Sequence, residues 1–176
     1  MFKYVSLSLF IILTFSFTGF GQQSGSKAVE LAKAKEKEVK ETFDRLVEGI
    51  NQVDVDKVMS VYNKDDKTLF FNYNGTATIG WQNMYDNRKS SYQDRKDTML
   101  EIMGLRIEIL SPTSAYVSCK WKQTQEFKGE VDQSTGRMTL VFKKFGKDWK
   151  VVHLHTSPDV FPSAVVIPAS EKDADQ

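Results

Sequence analysis

The sequence predicts an α+β domain in which helices come first and a mostly antiparallel sheet follows. Three observations predict it. Apolar residues recur at three- and four-residue steps along residues 26–52, which is typical of an amphipathic helix. Residues 115–127 alternate between apolar and polar side chains, which is typical of a half-buried strand. Residues 136–145 and 149–157 are rich in β-branched and aromatic residues and flank a short glycine-containing link, which indicates a β-hairpin.

Local signals predict the remaining elements. Asp54 is a good N-cap for a second, short helix, because its side chain can accept hydrogen bonds from the first free amides. Asn74-Gly75 favours a two-residue type I′ turn between strands at residues 68–73 and 76–79. The last predicted elements are a third helix, a long strand and a polar link, at residues 81–93, 99–110 and 128–134.

The N-terminus has the pattern of a secretory signal peptide. Lys3 is followed by an apolar run at residues 4–17, and Gly19 and Gly21 put small residues where a signal peptidase cuts. The alternative is an uncleaved anchor, but the run is shorter than the roughly 20 residues that a spanning helix needs. No later run is long enough to span a membrane. We therefore expect removal of residues 1–21 and a periplasmic or secreted protein.

Composition limits the partners and cofactors of the mature chain. Removing residues 1–21 removes Lys3 and no acidic residue, so the net charge falls from +1 to zero, and no basic segment with interleaved aromatics predicts nucleic-acid binding. One cysteine, Cys119, excludes an internal disulfide. Two histidines without a third ligand at matching spacing predict no metal, and no cofactor is expected. We expect one domain at residues 22–157 and an extension at 158–176.

Counting along the terminal hairpin predicts which residues share a face. If Phe145 pairs with Asp148, then Leu140 faces His153 and Met138 faces His155. This face is the more apolar one, so we expect it to point inward. A histidine there is either held by a backbone carbonyl or available for general acid–base catalysis, and His153 and His155 are the candidate catalytic residues.

The opposite face of the same hairpin predicts a homodimer. It carries Val141, Val152 and Leu154, which would expose a contiguous apolar patch in a monomer. An antiparallel sheet with one solvated face should instead be polar on that side. A second subunit is the simplest cover for such a patch.

Aromatic residues are candidates for the lining of a pocket for a small hydrophobic ligand. Trp81 and Tyr85 lie on the apolar face of the third helix together with Met84, Arg88 and Tyr92. The full predicted lining comprises Tyr62, Trp81, Tyr85, Trp121, Met138 and Leu140. Aromatic residues at such spacing are equally typical of a core. Cys119 lies mid-strand between apolar neighbours, which is typical of a buried, unreactive thiol.

The element order, Gly80-Trp81 at the start of the third helix and the ending WKVVHLHTS together resemble the nuclear transport factor 2-like superfamily, in its SnoaL-like and ketosteroid-isomerase-like branch. The resemblance covers residues 28–157. It implies a cone-shaped, strongly curved sheet wrapped around three helices, a pocket between them, and frequent homodimers. Members include isomerases, polyketide cyclases, dehydratases and epoxide hydrolases.

Three function classes remain open at this point. Isomerases that resemble ketosteroid isomerase use an aspartate base on the sheet, but no aspartate lies between Asp97 and Asp132. The chain could be a binder of a small hydrophobic molecule. It could be an isomerase, cyclase or dehydratase that uses a pocket histidine. It could also be a non-catalytic dimeric interaction module.

Overall fold

Three helices and six strands form the computed structural model, which describes residues 22–159 and the side chains of residues 27–159. The helices are α1 (Gln22–Asn51), α2 (Val55–Ser60) and α3 (Trp81–Tyr92). The strands are β1 (Leu69–Phe71), β2 (Ala77–Ile79), β3 (Arg95–Ser111), β4 (Ser114–Phe127), β5 (Glu130–Phe145) and β6 (Asp148–Pro158). The predicted signal peptide and the predicted extension beyond residue 159 lie outside the described residues.

All six strands belong to one open sheet in the order β2-β1-β6-β5-β4-β3. Neighbouring strands are antiparallel except β1 and β6, which run parallel with Leu69 opposite His153. This parallel pairing places the short β1–β2 hairpin beside the C-terminal half of β6. The predicted α+β class with a mostly antiparallel sheet is confirmed.

Irregularities in β3 curve the sheet. The register of β3 against β4 shifts after Lys96, Met103 and Ile109. Asp97 and Gly104 lie within the first two shifts and have φ angles of 45° and 60°. Bulges of this kind bend a strand and increase its twist. The concave face of the sheet therefore wraps around the helices, as in the predicted cone.

The core lies between α1 and the concave face. Val39, Phe43 and Leu46 form the predicted apolar stripe of α1 and are all nearly inaccessible to solvent. Glu38, which directly precedes Val39, joins the helix to the hairpin of β5 and β6. Its Oε2 atom accepts hydrogen bonds from Lys144 Nζ at 2.5 Å and Trp149 Nε1 at 2.8 Å.

The short helix α2 begins as predicted. The Asp54 carboxylate accepts a hydrogen bond from the backbone N–H of Lys57 at 2.9 Å, so Asp54 is the N-cap. Val58 and Met59 of α2 are fully buried. The residues after the helix pair with β6, because the backbone N–H of Val151 donates to the carbonyl of Val61 at 2.9 Å.

The turn between β1 and β2 differs from the prediction. The chain from Asn72 to Thr76 forms a wider connection, closed by Asn72 N–H to Thr76 O at 2.8 Å and Gly75 N–H to Asn72 O at 2.9 Å. In this connection only Gly75, with φ of 83°, is left-handed, whereas a type I′ turn needs two such residues. The glycine is used as predicted, but in a longer turn.

The predicted polar link at residues 128–134 is also wrong. Lys128 and Gly129, with φ angles of 54° and 85°, form the turn by themselves, and β5 starts at Glu130. The polar composition of this segment reflects the exposed end of a long hairpin, where Val131 and its neighbours are largely solvent-accessible.

The register of the terminal hairpin changes part-way along. Phe145 pairs with Asp148 as predicted. After three more pairs, however, Val141 lies opposite His153, so that Val152 is an extra residue on β6. This β-bulge shifts all later pairs by one residue.

The bulge exchanges the two faces of β6. Leu140 pairs with Leu154 and Met138 with Thr156, so the predicted pairs Leu140–His153 and Met138–His155 are wrong. Because the side chains of a strand alternate, a shift of one residue turns each later side chain to the other face. Leu154 therefore points inward, and His153 and His155 lie on the outer, convex face.

Candidate functional site

A cavity of about 390 Å³ opens on the concave face of the sheet. It lies at what we call the wide end of the cone, which is bounded by the β1–β2 turn, the C-terminal half of α3 and the first half of β5. Its apolar wall consists of Ile50, Met84, Leu100, Trp121, Met138 and Leu154. Its polar wall carries amides, hydroxyls and two guanidinium groups, among them Asn72, Asn87, Arg88, Arg95, Gln123 and Gln125.

The strand β4 shows how the sequence builds this cavity. Its inward positions are, in order, Ala115, Val117, Cys119, Trp121, Gln123 and Gln125. The first half of the strand therefore supplies apolar side chains to the core. The second half supplies an indole and two amides to the cavity, so one strand changes from core to binding surface at Trp121.

Two arginines lie on the cavity wall. Arg88 Nη1 donates a hydrogen bond to the hydroxyl of Tyr92 at 3.2 Å, and Arg95 Nη1 donates to Gln125 Oε1 at 2.8 Å. Burial opposes the charge of Arg88, but the neighbouring Tyr92 and Tyr62 hold its pKa above the usual value. Burial lowers the pKa of Arg95, although a guanidinium stays charged at neutral pH.

Gly136 fixes the position of the Trp121 indole. The two residues are directly paired across β4 and β5. A Cβ atom at Gly136 would lie 2.7 Å from Trp121 Cζ2 and would collide with the carbonyl oxygen of Ser157. The missing side chain therefore lets the indole lie against β5. The Trp121 ring also meets the ring of Tyr73 edge-on, with 6.2 Å between centroids.

Comparisons with known proteins agree with this architecture. The family model of the SnoaL-like domain matches residues 39–161, which is more than half of the chain. The chain belongs to the SnoaL-like domain family. This family has the nuclear transport factor 2-like fold and includes small-molecule-binding proteins and enzymes of the isomerase and dehydratase type. No curated protein matches the chain.

Solved structures show the same fold for this SnoaL-like domain. A nuclear transport factor 2-like protein from Salmonella enterica is 20% identical, with a TM-score of 0.68 over 75% of this chain and 96% of that one. A ketosteroid isomerase-like protein from Erwinia carotovora is 18% identical, with a TM-score of 0.61 over 71% and 96%. A protein of unknown function from Shewanella oneidensis is 23% identical, with a TM-score of 0.58 over 69% and 97%. Because all three structures are less than 25% identical to this chain, the comparisons show a shared fold and nothing more.

The six residues that the sequence suggests for a pocket are found in three places in the SnoaL-like domain. Trp121 and Met138 line the cavity. Leu140 is fully buried in the core. Tyr62 is also buried, and its ring packs against Phe70 with centroids 4.9 Å apart. Burial raises the pKa of Tyr62 to about 12, even though the charge of Arg88 acts in the opposite direction.

Trp81 and Tyr85 form a stacked pair outside the cavity. Their ring centroids are 5.1 Å apart with an angle of 19° between the planes. Trp81 Nε1 donates to the carbonyl of Met59 at 2.9 Å, and the Tyr85 hydroxyl donates to Asp56 Oδ1 at 2.9 Å. The pair therefore attaches α3 to α2.

The two histidines do not reach the cavity. His153 Nδ1 lies 3.1 Å from the carbonyl oxygen of Leu69, and since a carbonyl can only accept, Nδ1 carries the proton. The ring of Phe71 meets both imidazoles edge-on, at 5.5 Å for His153 and 5.6 Å for His155. The expectation that His155 lies inside the cone is wrong, because the bulge at Val152 turns it outward.

The remaining reactive groups give no further site among residues 27–159. Burial raises the pKa of the Cys119 thiol to about 12, so the thiolate is not populated at neutral pH. Within the same residues, no group of three or more His, Cys, Asp or Glu side chains could hold a metal ion.

The sequence patterns do not predict that Arg88, Arg95 and Gly136 belong to the site. A signal existed for Arg88, because it falls on the apolar face of α3 at helical spacing, where a charge is costly unless it serves a purpose. Arg95 follows a helix end and gave no such signal. Gly136 could be recognised only once Trp121 was known to lie opposite it.

Proposed function

We propose that this SnoaL-like protein binds a small molecule in the cavity at the wide end of the cone and does not transform it. The observation that carries the proposal is the composition of the wall. The lining residues offer aromatic and aliphatic surface together with amide, hydroxyl and guanidinium groups. They include no carboxylate, imidazole or thiol among the residues that the structure describes.

Isomerase and dehydratase chemistry needs a group that takes up a proton near neutral pH. Arginine cannot do this, since it stays protonated, and amides do not titrate. Tyr73 and Tyr92 also line the cavity, and their hydroxyl groups can form hydrogen bonds with a ligand. The wall therefore suits recognition better than proton transfer.

Export remains part of the proposal. Its support is the basic, apolar and small-residue pattern at residues 1–21. No helix within residues 22–159 is both long and apolar enough to cross a membrane. Intact-mass analysis of protein from the native host tests export, because the mature chain should begin at Gln22. A mass that includes Met1 would contradict it.

A homodimer through the convex face also remains a proposal. Leu154 no longer supports it, since that side chain points inward. Tyr116 and Val141 pair on the outer face and are half-buried, and Val152 lies beside them at the bulge. Val141→Lys combined with Val152→Lys should convert the dimer to a monomer in sedimentation. A monomeric wild-type protein at micromolar concentration would contradict the proposal.

Two serines on α3 provide a matched test of ligand binding. Ser91 is half-buried and lines the cavity, whereas Ser90 is exposed and does not. Ser91→Trp should fill the cavity, and Ser90→Trp adds the same side chain outside it. Wild-type protein and Ser90→Trp are screened by thermal denaturation against neutral, anionic and cationic bicyclic aromatics.

At 100-fold excess over Kd, a ligand that binds the native state should raise Tm by about 5 °C or more. The proposal requires at least one such ligand for wild-type protein and for Ser90→Trp, with the shift lost in Ser91→Trp. A shift that survives in Ser91→Trp would place binding elsewhere. Turnover of a bound probe, detected by chromatography, would contradict the non-catalytic part.

A further inference from the structure

We propose that the cavity selects small flat organic carboxylates, whose carboxylate group lies against Arg88 and Arg95 and whose apolar body lies against Trp121. This inference rests on the proposed function, because it assigns the ligand class of the same cavity. It departs from the hydrophobic ligand that the sequence suggests, since the structure places two positive charges on the wall.

The charge of the cavity wall is unbalanced. Arg88 and Arg95 both line it, and its lining residues within the described chain include no aspartate or glutamate. No salt bridge to either arginine is found within residues 27–159. The Asp132 carboxylate interacts with Arg95 electrostatically but forms no salt bridge with it. Asp132 Oδ2 instead accepts a hydrogen bond from Gln125 Nε2 at 3.0 Å. A buried charge without a counter-ion is unfavourable, so a bound anion would stabilise this wall.

Three hydrogen-bond donors on the wall residues have no partner. They are Arg88 Nε, Arg95 Nε and Trp121 Nε1, which are buried and have no partner of hydrogen-bonding geometry among the described residues, although the Tyr62 hydroxyl lies close to Arg88. In each arginine the Nη1 atom is already used, for Tyr92 or for Gln125. The Nε atom and the remaining Nη2 atom form one edge of a guanidinium, and this edge matches the two oxygens of a carboxylate.

Both arginines are held in place by neighbours. The Arg95 guanidinium lies 5.6 Å from the ring centroid of Tyr92 and 5.8 Å from that of Phe127. Arg88 donates to the same Tyr92, so this tyrosine touches both groups. These contacts keep the two guanidinium groups at the cavity wall and out of solvent. Because the side chains are already ordered, they lose less conformational entropy when a ligand binds.

The apolar part of the cavity lining argues for a flat apolar body attached to the anion. Trp121 and Tyr73 form an aromatic corner, and Met138 and Leu154 continue the apolar surface into the cavity. Inorganic phosphate would satisfy the arginines but leave this surface in contact with water. A bicyclic carboxylate can contact the arginines and the apolar surface at once, which is why we prefer it.

The test compares naphthalene-2-carboxylate with its neutral isostere 2-naphthamide and with inorganic phosphate, by calorimetry on the mature chain. Wild-type protein should bind the carboxylate at least 10-fold more tightly than the amide. Phosphate should bind at least 10-fold more weakly than the carboxylate. Equal affinity for the carboxylate and the amide, or tighter binding of phosphate, would overturn the inference. This comparison needs no variant, so it holds even if a variant fails to fold.

Variants then locate the effect. Arg88→Met and Arg95→Met should each reduce carboxylate affinity at least 10-fold and change amide affinity less than 3-fold. Arg106→Met removes one exposed positive charge outside the cavity and should leave both affinities unchanged. An equal loss in Arg106→Met would mean that only net charge matters, and the inference would be wrong.

Failure of the inference is distinguishable from failure of the proposed function. If neutral aromatics bind as well as the carboxylate and Ser91→Trp abolishes their binding, the cavity is a binding site and only the carboxylate assignment is wrong. If no probe binds and Ser91→Trp behaves as wild type does, both are wrong.

Discussion

The two ends of the cone use the same strands for different purposes. At the narrow end, the inward side chains of β4 and β5 include Val117, Leu140 and Phe142, and all three are fully buried. At the wide end, the same two strands present Gln123 and Ser134 to a cavity. The narrow end gains stability from burial, which amounts to about 25 cal/mol per Å² of apolar surface. The wide end leaves hydrogen-bond donors of Arg88, Arg95 and Trp121 unsatisfied. Unsatisfied donors lower the stability of the free protein, but they can bind a ligand.

The largest expected effect comes from the narrow end. Leu140→Ala should lower the free energy of unfolding by about 2–5 kcal/mol, because a fully buried leucine leaves a cavity behind. The affinity of the folded fraction for cavity ligands should not change, since Leu140 does not line the cavity. Urea denaturation with and without ligand measures both. Leu110→Ala, at an exposed leucine, is the control and should be nearly neutral.

Gly136 lies between the two ends, and its substitution should affect both properties. Gly136→Ala forces a Cβ atom against Trp121 and Ser157, so we expect a loss of about 1–3 kcal/mol. The displaced indole should also shift tryptophan fluorescence and weaken cavity binding. Thr139→Ala, three residues away on the exposed face of the same strand and outside the cavity, should do neither. Unchanged stability in Gly136→Ala would show that the close contact is not rigid.

The two histidines contrast the convex face with the cavity. His153→Ala removes the hydrogen bond to the Leu69 carbonyl and should cost about 0.5–1.5 kcal/mol. His153→Asn offers a donor again and should recover part of this loss. His155→Ala removes an exposed side chain and should stay within about 0.5 kcal/mol. None of the three should alter cavity binding, and a large binding defect would contradict the bulge at Val152.

The smallest effect concerns Glu38, which ties α1 to the narrow end. Hydrogen bonds from Lys144 and Trp149 lower the pKa of this carboxyl in the folded state. A lowered folded-state pKa means that the stabilisation is complete above the ordinary value of 4.5 and is lost as the pH falls through the folded-state value.

Glu38→Gln should therefore cost about 0.5–1 kcal/mol at pH 7, a figure kept small because the side chain is partly exposed. The difference from wild type should stay constant from pH 8 to about pH 6 and shrink below about pH 4.5. Glu41→Gln, in an exposed pair with Lys37 at 4.0 Å, should show almost no difference. Chemical denaturation across this pH range measures each curve.

Features that depend on neighbouring residues could be predicted from the sequence, whereas features that depend on strand pairing could not. The helix at α1, the N-cap Asp54 and the closing pair Phe145–Asp148 were all predicted correctly, because each depends on residues close together in the chain. The faces of His153 and His155 were predicted wrongly, because a strand count is valid only until the first bulge.

The sequence by itself determined the fold class, the order of elements and the inert character of Cys119, since periodicity, capping and the apolar neighbours of a residue are local properties of the chain. Only the tertiary structure decided the site. The extra residue Val152 is accommodated through pairing with β1 and β5, and that pairing sends both histidines outward. Arg88 and Arg95 are only seven residues apart, but they share a cavity with Trp121 and Gln125 only because the curved sheet brings β4 to the junction of α3 and β3. Contacts between residues that are far apart in the chain produce no periodic pattern in the sequence, so they cannot be predicted from it.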